Sequence, residues 1–133
     1  MLDDRHTASS ADNDAPLWYT AVNDASWRLY LGELSGGEVP YLAAPARAEN
    51  LAGMPPVCSY VGGIEPFHDE TVEYINKLKR LGIPVHFKVF EGCFHAFDQI
   101  CPDTDIAKEA VDFMMESFAY AVENYYVWGD GKL

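Results

Sequence analysis

The sequence predicts an α/β fold of the three-layer type, in which a parallel sheet is covered by helices on both faces. Residues 56–61 (PVCSYV) and 85–90 (VHFKVF) are short apolar runs that are typical of buried strands. An amphipathic helical pattern separates them, and a second one follows from about 105 to 127. A helical crossover between two strands predicts that they pair in parallel, so 56–127 is expected to run strand, helix, strand, helix.

The part of the sequence that precedes this unit predicts a loop, a helix and a long connection. Residues 1–14 are polar and rich in turn formers. Residues 15–32 carry apolar side chains at helical spacing and end at Gly32, a residue type that commonly ends helices. Residues 32–50 are rich in glycine, proline and alanine, and long connections of this kind in compact domains are often functional.

The two helices of the 56–127 unit have clear apolar faces. The first begins at His68 or Asp69, and it is expected to end before Gly82 because Pro84 prevents its continuation. Its apolar side chains recur at helical spacing, and they are Val72, Ile75, Leu78 and Leu81. The face of the second helix comprises Ala107, Val111, Met114, Phe118, Val122 and Tyr125.

Two strands are few for a parallel sheet. Parallel sheets are normally buried on both faces and contain several strands, and an open strand edge invites pairing with another chain. With 133 residues, the chain is one domain or part of one. We therefore expect residues 1–133 to form one end of a larger sheet, or to complete that sheet through another chain.

Composition argues against several classes of partner. The formal net charge of −12 disfavours nucleic acid and anionic membranes, because both are bound through basic patches. No apolar run approaches the ~18 residues that span a bilayer, and the acidic N-terminus lacks the apolar core of a signal peptide. The odd number of cysteines, three, without a CxxC pair predicts reduced thiols and a cytoplasmic location.

The sequence gives no reason to expect a metal or a phosphate-binding cofactor. His68, Cys93, His95 and Cys101 do not follow a spacing that is typical of zinc sites. The glycine pair at 62–63 lacks the surrounding residues of the known phosphate-binding loops. We therefore expect neither a metal ligand set nor a cofactor site in this chain.

Two loops form the candidate functional site. Glu65 follows the first strand, and His95 follows the second. Loops at the carboxyl ends of adjacent parallel strands lie close together, so Glu65 would orient His95 through one ring nitrogen. The other ring nitrogen would then be free to take a proton from a nucleophile. Alternatively, His95 is a structural or merely exposed histidine, and Glu65 is only solvated.

Five segments of the chain, in order, resemble a known family. They are MLDDR (1–5), ASWRLYLG (25–32), YLAAPARAENLAGMPPVCSYVGG (41–63), IEPFHDETVEYINKLKRLGIPV (64–85) and EGCFHAFD (91–98). Each segment alone is weakly specific, but together they resemble the C-terminal part of the hormone-sensitive-lipase-like α/β-hydrolases, a family of small carboxylesterases. The resemblance implies a partial α/β-hydrolase sheet, made of the C-terminal parallel strands and their flanking helices.

The resemblance also implies a role for each candidate residue. His95 takes the position of the catalytic base, and Glu65 takes that of the acid, where the family usually has aspartate. Ala96 stands where glycine is common. Asp69 matches a second acidic position, and we interpret it as a helix N-terminal residue that the helix dipole favours, with a catalytic role as the less favoured alternative.

The nucleophile of that family has no counterpart in the sequence. The Gly-x-Ser-x-Gly elbow and the His-Gly-Gly-Gly oxyanion loop lie upstream of the matched part, and neither pattern occurs here. No serine has the setting of a nucleophile, and the serines are Ser9, Ser10, Ser26, Ser35, Ser59 and Ser117. We therefore expect a fragment of a carboxylic ester hydrolase that holds the acid and the base, needs no cofactor and is inactive alone.

Two function hypotheses follow. In a complete relative, the reaction would be the hydrolysis of a short-chain carboxylic ester through an acyl-serine intermediate. A small-molecule ester is then the expected substrate only if a nucleophile-bearing segment completes the site. Alternatively, the chain is a non-enzymatic module that self-associates into a homo-oligomer through its open sheet edge and apolar helix faces.

Overall fold

The computed structural model describes residues 1–126, which form two strands and five helices. The strands are β1 (Val57–Gly62) and β2 (Val85–Phe90). The helices are α1 (Ala8–Ala11), α2 (Thr20–Leu31), α3 (His68–Arg80), α4 (Phe97–Ile100) and α5 (Asp105–Tyr125). Short 3-10 turns lie at Gly32–Leu34 and Pro45–Arg47.

The two strands pair in parallel, as the sequence predicts. Their register runs from Val57 opposite Val85 to Gly62 opposite Phe90. Helix α3 connects the strands. A crossover is needed because the end of one parallel strand and the start of the next lie at opposite ends of the sheet. The prediction of an α/β fold with a parallel sheet is confirmed.

Helices cover both faces of this sheet. Successive residues of a strand point to alternate faces. On one face, Val85 and Phe87 pack against the core of α3, in which Leu78 is fully buried. On the other face, Tyr60 and Phe90 pack with buried residues of α4 and α5. The layers are therefore helix, sheet and helix, in agreement with the predicted three-layer type.

The long connection at 32–50 contributes to the core. Val39 and Ala44 are buried and pack with Trp27 and Leu31 of α2. An apolar side chain that is removed from water in this way stabilises the fold by about 1.5–3 kcal/mol for a residue the size of valine or leucine. The connection is therefore packed against α2 instead of merely wrapping the surface.

The N-terminal segment departs from the predicted loop at 1–14, because it contains the single turn α1. The backbone N–H of Thr7 donates to Oγ of Ser10 at 2.8 Å, and the N–H of Ser10 donates to the carbonyl of Thr7 at 3.2 Å. Serine and threonine readily form such local hydrogen bonds. A single turn is too short to produce an apolar period, which is why the sequence pattern does not reveal it.

Helix α2 begins at Thr20, later than the predicted range of 15–32. Pro16, Leu17 and Trp18 form a tight turn in which the N–H of Trp18 donates to the carbonyl of Pro16 at 2.8 Å. Leu17 has a φ of +69°, in the left-handed region. A residue in that region cannot continue a right-handed helix, so α2 starts only after the turn.

The last helix agrees with its prediction at the N-terminal end. Helix α5 runs from Asp105 to Tyr125, and the predicted end at Val127 lies outside the described residues. The hydroxyl of Thr104 accepts a hydrogen bond from the N–H of Ala107 at 3.4 Å and so caps the helix. Neither α5 nor any other helix within residues 1–126 is long and apolar enough to cross a membrane.

A buried carboxylate fastens the N-terminal residues to α3. Glu70 accepts the backbone N–H of Leu2 at 2.8 Å and that of Asp3 at 3.2 Å. Asp3 in turn binds the guanidinium groups of Arg5 and Arg47. Burial alone would raise the pKa of Asp3, but the hydrogen bonds from the two arginines outweigh it and hold this pKa below its ordinary value. The carboxylate of Asp3 therefore stays charged at neutral pH.

The carboxyl end of β1 lies directly against the loop that follows β2. A Cβ added at Gly62 would lie 2.3 Å from the carbonyl oxygen of Cys93, and one at Gly63 would lie 2.9 Å from Oε2 of Glu91. Both distances are shorter than contacts between carbon and oxygen allow. The close approach of the two loops therefore requires glycine at position 62, where the contact is with backbone, whereas the end of the flexible Glu91 side chain can move away from position 63.

We expect Gly62→Ala to lower the free energy of unfolding by about 1–3 kcal/mol, because the added methyl group must displace the backbone at Cys93. Chemical denaturation followed by circular dichroism measures this change. Gly37→Ala is the matched control, since a Cβ there would lie 3.6 Å from the carbonyl oxygen of Leu34. The control should shift stability by less than about 0.5 kcal/mol. Equal stability of both variants would contradict the close approach.

Candidate active site

The structure brings the two predicted site residues together. Glu65 follows β1 and His95 follows β2, and Oε2 of Glu65 lies 2.5 Å from Nδ1 of His95. The adjacent parallel strands end at the same edge of the sheet, which places both loops there. The pair therefore arises from the strand order that the sequence predicts.

Both oxygens of the Glu65 carboxylate have partners. Glu65 is only 5% exposed, and its Oε1 accepts the backbone N–H of Gly62 at 2.7 Å. Its Oε2 faces the imidazole of His95. Because a carboxylate only accepts, Nδ1 of His95 must carry the hydrogen of this bond. The neutral ring then presents Nε2 as a hydrogen-bond acceptor, which is the state that a general base requires.

Backbone hydrogen bonds fix the two loops to each other. The N–H of Gly63 donates to the carbonyl of Phe90 at 2.8 Å, and the N–H of Ile64 donates to the carbonyl of Cys93 at 3.1 Å. The loop after β2 turns at Gly92, whose φ is +74°. Glu65 and His95 are therefore held by main-chain geometry as well as by their own hydrogen bond.

Ala96, the residue next to His95, has a left-handed backbone. Its φ is +60° and its ψ is +26°, and it directly precedes the single turn α4. A left-handed conformation costs roughly 1–2 kcal/mol for a residue with a Cβ, whereas glycine adopts it freely. The family resemblance places glycine at this position, and the backbone geometry gives the physical reason for that preference.

Two aromatic rings contact the imidazole of His95, which stays partly exposed. The ring of Phe67 lies 5.0 Å from it and that of Trp18 lies 5.5 Å from it, both edge to face. The two aromatic rings also contact each other at 5.6 Å. Sequence reasoning did not assign these residues to the site, because neither helical nor strand periodicity marks an aromatic residue that lies in a loop.

A second polar pair lies beside the first. The hydroxyl of Tyr60 donates to Oδ2 of Asp98 at 2.8 Å. Glu65 and His95 line a cavity of about 250 Å³ together with these two residues. Burial, and then the hydrogen bond to Asp98, raise the pKa of Tyr60 to about 12. Sequence reasoning did not assign this pair, since a contact between a strand and a distant helical turn leaves no local pattern.

Asp69, the second acidic candidate, lies in the first turn of α3 and has other partners. Its carboxylate accepts the N–H of Ser9 at 2.8 Å and lies 2.8 Å from Nδ1 of His68. The bond with His68 and those from Ser9 hold the pKa of Asp69 below its ordinary value, although burial opposes them. Asp69 thus links α1 to α3, and the hydrogen bond to His95 comes from Glu65.

The serines of the chain all lie within the described residues. Ser9 donates its hydroxyl to the carbonyl of Pro66 at 3.0 Å, and Ser10 bonds within the turn at Thr7. Among the hydrogen bonds of residues 1–126, none joins a serine hydroxyl to His95. This part of the chain therefore pairs a carboxylate with an imidazole and places no serine hydroxyl on Nε2.

The four histidine and cysteine residues without a zinc-like spacing make other contacts in the structure. His68 and His95 face Asp69 and Glu65, respectively. Burial raises the pKa of the Cys93 thiol, and a neighbouring Cys101 adds to this effect. In the described part of the chain, no group of three or more histidine, cysteine or acidic side chains is arranged to hold a metal ion.

Comparison with known proteins gives consistent matches. Residues 1–99 match the family model described as the alpha/beta hydrolase fold. Esterase LipI of Mycobacterium tuberculosis is 35% identical over 95 residues, which cover 71% of this chain and 30% of that protein. The crystal structure of esterase LipW from Mycobacterium marinum superposes with a TM-score of 0.81 at 30% identity, covering 95% of this chain and 39% of LipW.

A bacterial heroin esterase is similar to the same extent. It superposes with a TM-score of 0.80 at 33% identity and covers 86% of this chain and 38% of the esterase. The chain therefore spans between 30% and 39% of the length of these three relatives.

We expect ionisation of the Tyr60 hydroxyl to lower the stability of the fold as the pH becomes alkaline. The folded state holds this proton with a pKa of about 12, above the ordinary value of 10.0. Its stabilisation is therefore complete below about pH 10 and is lost as the pH rises toward 12. Denaturant titrations at pH 9 and pH 11.5 should show a larger loss of stability for the parent than for Tyr60→Phe.

The control for this prediction is Tyr41→Phe, because Tyr41 is 58% exposed. This variant should lose as much stability between the two pH values as the parent does. An equal loss for Tyr60→Phe and the parent would contradict a stabilising bond between Tyr60 and Asp98.

Proposed function

The chain belongs to the α/β-hydrolase fold family, and from this premise we propose that it is the acid- and base-bearing part of a serine carboxylic ester hydrolase. The hydrogen bond of 2.5 Å between Glu65 and His95 carries the proposal. A buried carboxylate behind an imidazole, at the carboxyl end of parallel strands, is the arrangement that activates a serine hydroxyl. The esterases LipI and LipW support the choice of carboxylic esters as the substrate class.

The proposed chemistry follows from the protonation of His95. Its Nε2 accepts the proton of a serine hydroxyl as that oxygen attacks the ester carbonyl, and it then donates the proton to the departing alcohol. Water then attacks the carbonyl carbon of the acyl-serine intermediate and gives a proton to Nε2. The imidazole returns this proton to the serine oxygen as the carboxylic acid is released. Glu65 stabilises the imidazolium that forms each time, because its charge is buried and already oriented toward Nδ1. The mechanism calls for no cofactor.

We further propose that the chain alone does not hydrolyse esters. The described residues place no serine hydroxyl on His95, and the sequence contains neither the nucleophile elbow nor the oxyanion loop. In this proposal a nucleophile-bearing segment, which occupies the remaining length of the relatives, completes the site and admits the ester. The three cysteines are free, and this supports a reducing, cytoplasmic location.

A second candidate function is self-association without catalysis. Helix α5 carries an exposed apolar stripe at successive helical turns, with Val111 48%, Met115 62%, Phe118 64% and Val122 44% exposed. Exposed apolar patches on globular proteins usually mark interfaces. A homo-oligomer that buries this stripe between two copies of α5 is therefore the alternative, and it is compatible with the first proposal.

We expect the chain alone to be inactive and a fusion to be active. The fusion joins the part of esterase LipW that this chain does not match to the N-terminal side of Met1. A fluorophosphonate probe read by intact mass should label the fusion and leave the chain alone unlabelled. In the fusion, His95→Ala should lower kcat for a short p-nitrophenyl ester by about 10⁴-fold or more, and Glu65→Gln by about 10³- to 10⁴-fold.

Asp69→Asn is the matched control for Glu65→Gln in the fusion. It removes a neighbouring acid that has no bond to His95, so it should lower stability and leave kcat unchanged. Ester hydrolysis by the chain alone that disappears in His95→Ala would overturn the proposed inactivity. Activity of a folded fusion that survives His95→Ala would overturn the role of His95.

We expect an oligomer of the parent chain to dissociate when the α5 stripe becomes charged. Sedimentation velocity at several concentrations should show Met115→Glu and Phe118→Glu shifted to the monomer, because each buries a charge in the apolar contact. Glu116→Gln, between them in sequence but on another face of α5, should sediment like the parent. A parent that is monomeric at the highest concentration would count against the second candidate.

A further inference from the structure

The backbone turn at Leu17 is strained, and burial of the Leu17 side chain does not compensate for that strain. Leu17 has a φ of +69°, and the N–H of Trp18 closes a three-residue turn on the carbonyl of Pro16 at 2.8 Å. This form of γ-turn is rare and strained, and a positive φ is unfavourable for a residue with a Cβ. The Leu17 side chain is 54% exposed, so its own burial does not explain the conformation.

Hydrogen bonds on both sides of the turn hold its ends in place. Asn13 donates from Nδ2 to the carbonyls of Ser9 and Ile64, each at 2.9 Å, and its carbonyl accepts the N–H of Thr20 at 3.1 Å. Because Ile64 precedes Glu65, this loop is fastened to the acid-bearing loop. The residues between Asn13 and Thr20 must therefore connect two fixed ends over a short distance. The strained turn at Leu17 makes this connection possible.

The residue after the strained position contacts the candidate base. The Trp18 ring lies 5.5 Å from the His95 ring at an angle of 61°, and the Phe67 ring lies 5.0 Å from His95 on the adjacent side, in contact with Trp18 at 5.6 Å. The indole Nε1 donates to Oδ1 of buried Asn23 at 3.4 Å, which fixes the orientation of the ring. Strained backbone persists where the surrounding structure imposes it, and such positions concentrate at functional sites.

We propose that the strained turn at Leu17 serves to hold Trp18 against the imidazole of His95, and that Trp18 is a positioning residue for the base. The inference rests on the proposed function, since it assigns Trp18 to the same site. Trp18 contacts no reacting atom in this assignment. It limits the motion of the imidazole and keeps water from the bond between Nδ1 and Glu65.

The experiment is NMR of the full chain with labelled histidine rings, in which the His95→Gln spectrum assigns His95 among the four histidines. Two quantities are measured: the exchange rate of the Nδ1 proton with water, and the ring-current shift of the carbon-bound ring protons. An aromatic pair is worth about 0.5–1.5 kcal/mol, so Trp18→Ala should raise the exchange rate roughly two- to tenfold and change the ring-current shift.

Two substitutions at Leu17 separate the turn from the side chain. Leu17→Ile keeps size and hydrophobicity, but a β-branched residue strongly disfavours a positive φ, so this variant should behave like Trp18→Ala. Leu17→Gly adopts a positive φ without a clash of Cβ and should behave like the parent. Exchange of the β1 and β2 amides should be unchanged in both, which separates positioning of His95 from general loss of stability.

The proposal is overturned if both Trp18→Ala and Leu17→Ile leave the exchange rate and the ring-current shift of His95 at their parent values. The proposed function is judged separately, by whether Nδ1 of His95 carries the proton in the parent. If Nδ1 is not protonated there, the pairing with Glu65 fails. A ring-current change in Trp18→Ala and Leu17→Ile would still support the placement of Trp18.

Discussion

The contact between the carboxyl end of β1 and the carbonyl group of Cys93 is the constraint on which the candidate site depends. A Cβ at Gly62 would lie 2.3 Å from that oxygen, whereas the N–H of Ile64 donates to it at 3.1 Å. The carbonyl group of Cys93 therefore excludes a side chain at Gly62 and fixes the backbone at Ile64. Glu65 reaches His95 because these two loops are pressed together.

Buried carboxylates connect separate parts of this acidic chain. Glu65 and Glu70, 5% and 7% exposed, each accept backbone N–H groups, and each joins segments that are distant in sequence. A buried charge is tolerated only when hydrogen bonds replace the water that it loses. Both carboxylate oxygens of Glu70 accept N–H groups of the N-terminal backbone, whereas one carboxylate oxygen of Glu65 bonds to His95. The two carboxylates therefore differ in their partners, because Glu70 bonds only to backbone and Glu65 bonds to backbone and to an imidazole.

The parts of the structure that follow from repeated patterns could be predicted from the sequence. Both strands, the crossover helix and the start of α5 depend on apolar periods and capping residues, which act over a few neighbouring positions. The left-handed turn at Leu17 could not be predicted, because a leucine is not a residue that favours a positive φ. The bond between Tyr60 and Asp98 joins residues 38 positions apart and depends on tertiary packing. The meeting of Glu65 with His95 was predictable because strand order places both loops at the same end of the sheet.

Glu65 and His95 are separated by 30 positions and belong to one strand–helix–strand unit. The register of β1 with β2 and the two loops that follow them bring the pair together, while Trp18 and Asn13 contact these loops from outside the unit. Recombination of genes at any point upstream of β1 would consequently transmit Glu65 and His95 together. The two residues are inherited as one contiguous stretch of the polypeptide, so a change of the sequence ahead of β1 leaves their separation along the chain unchanged.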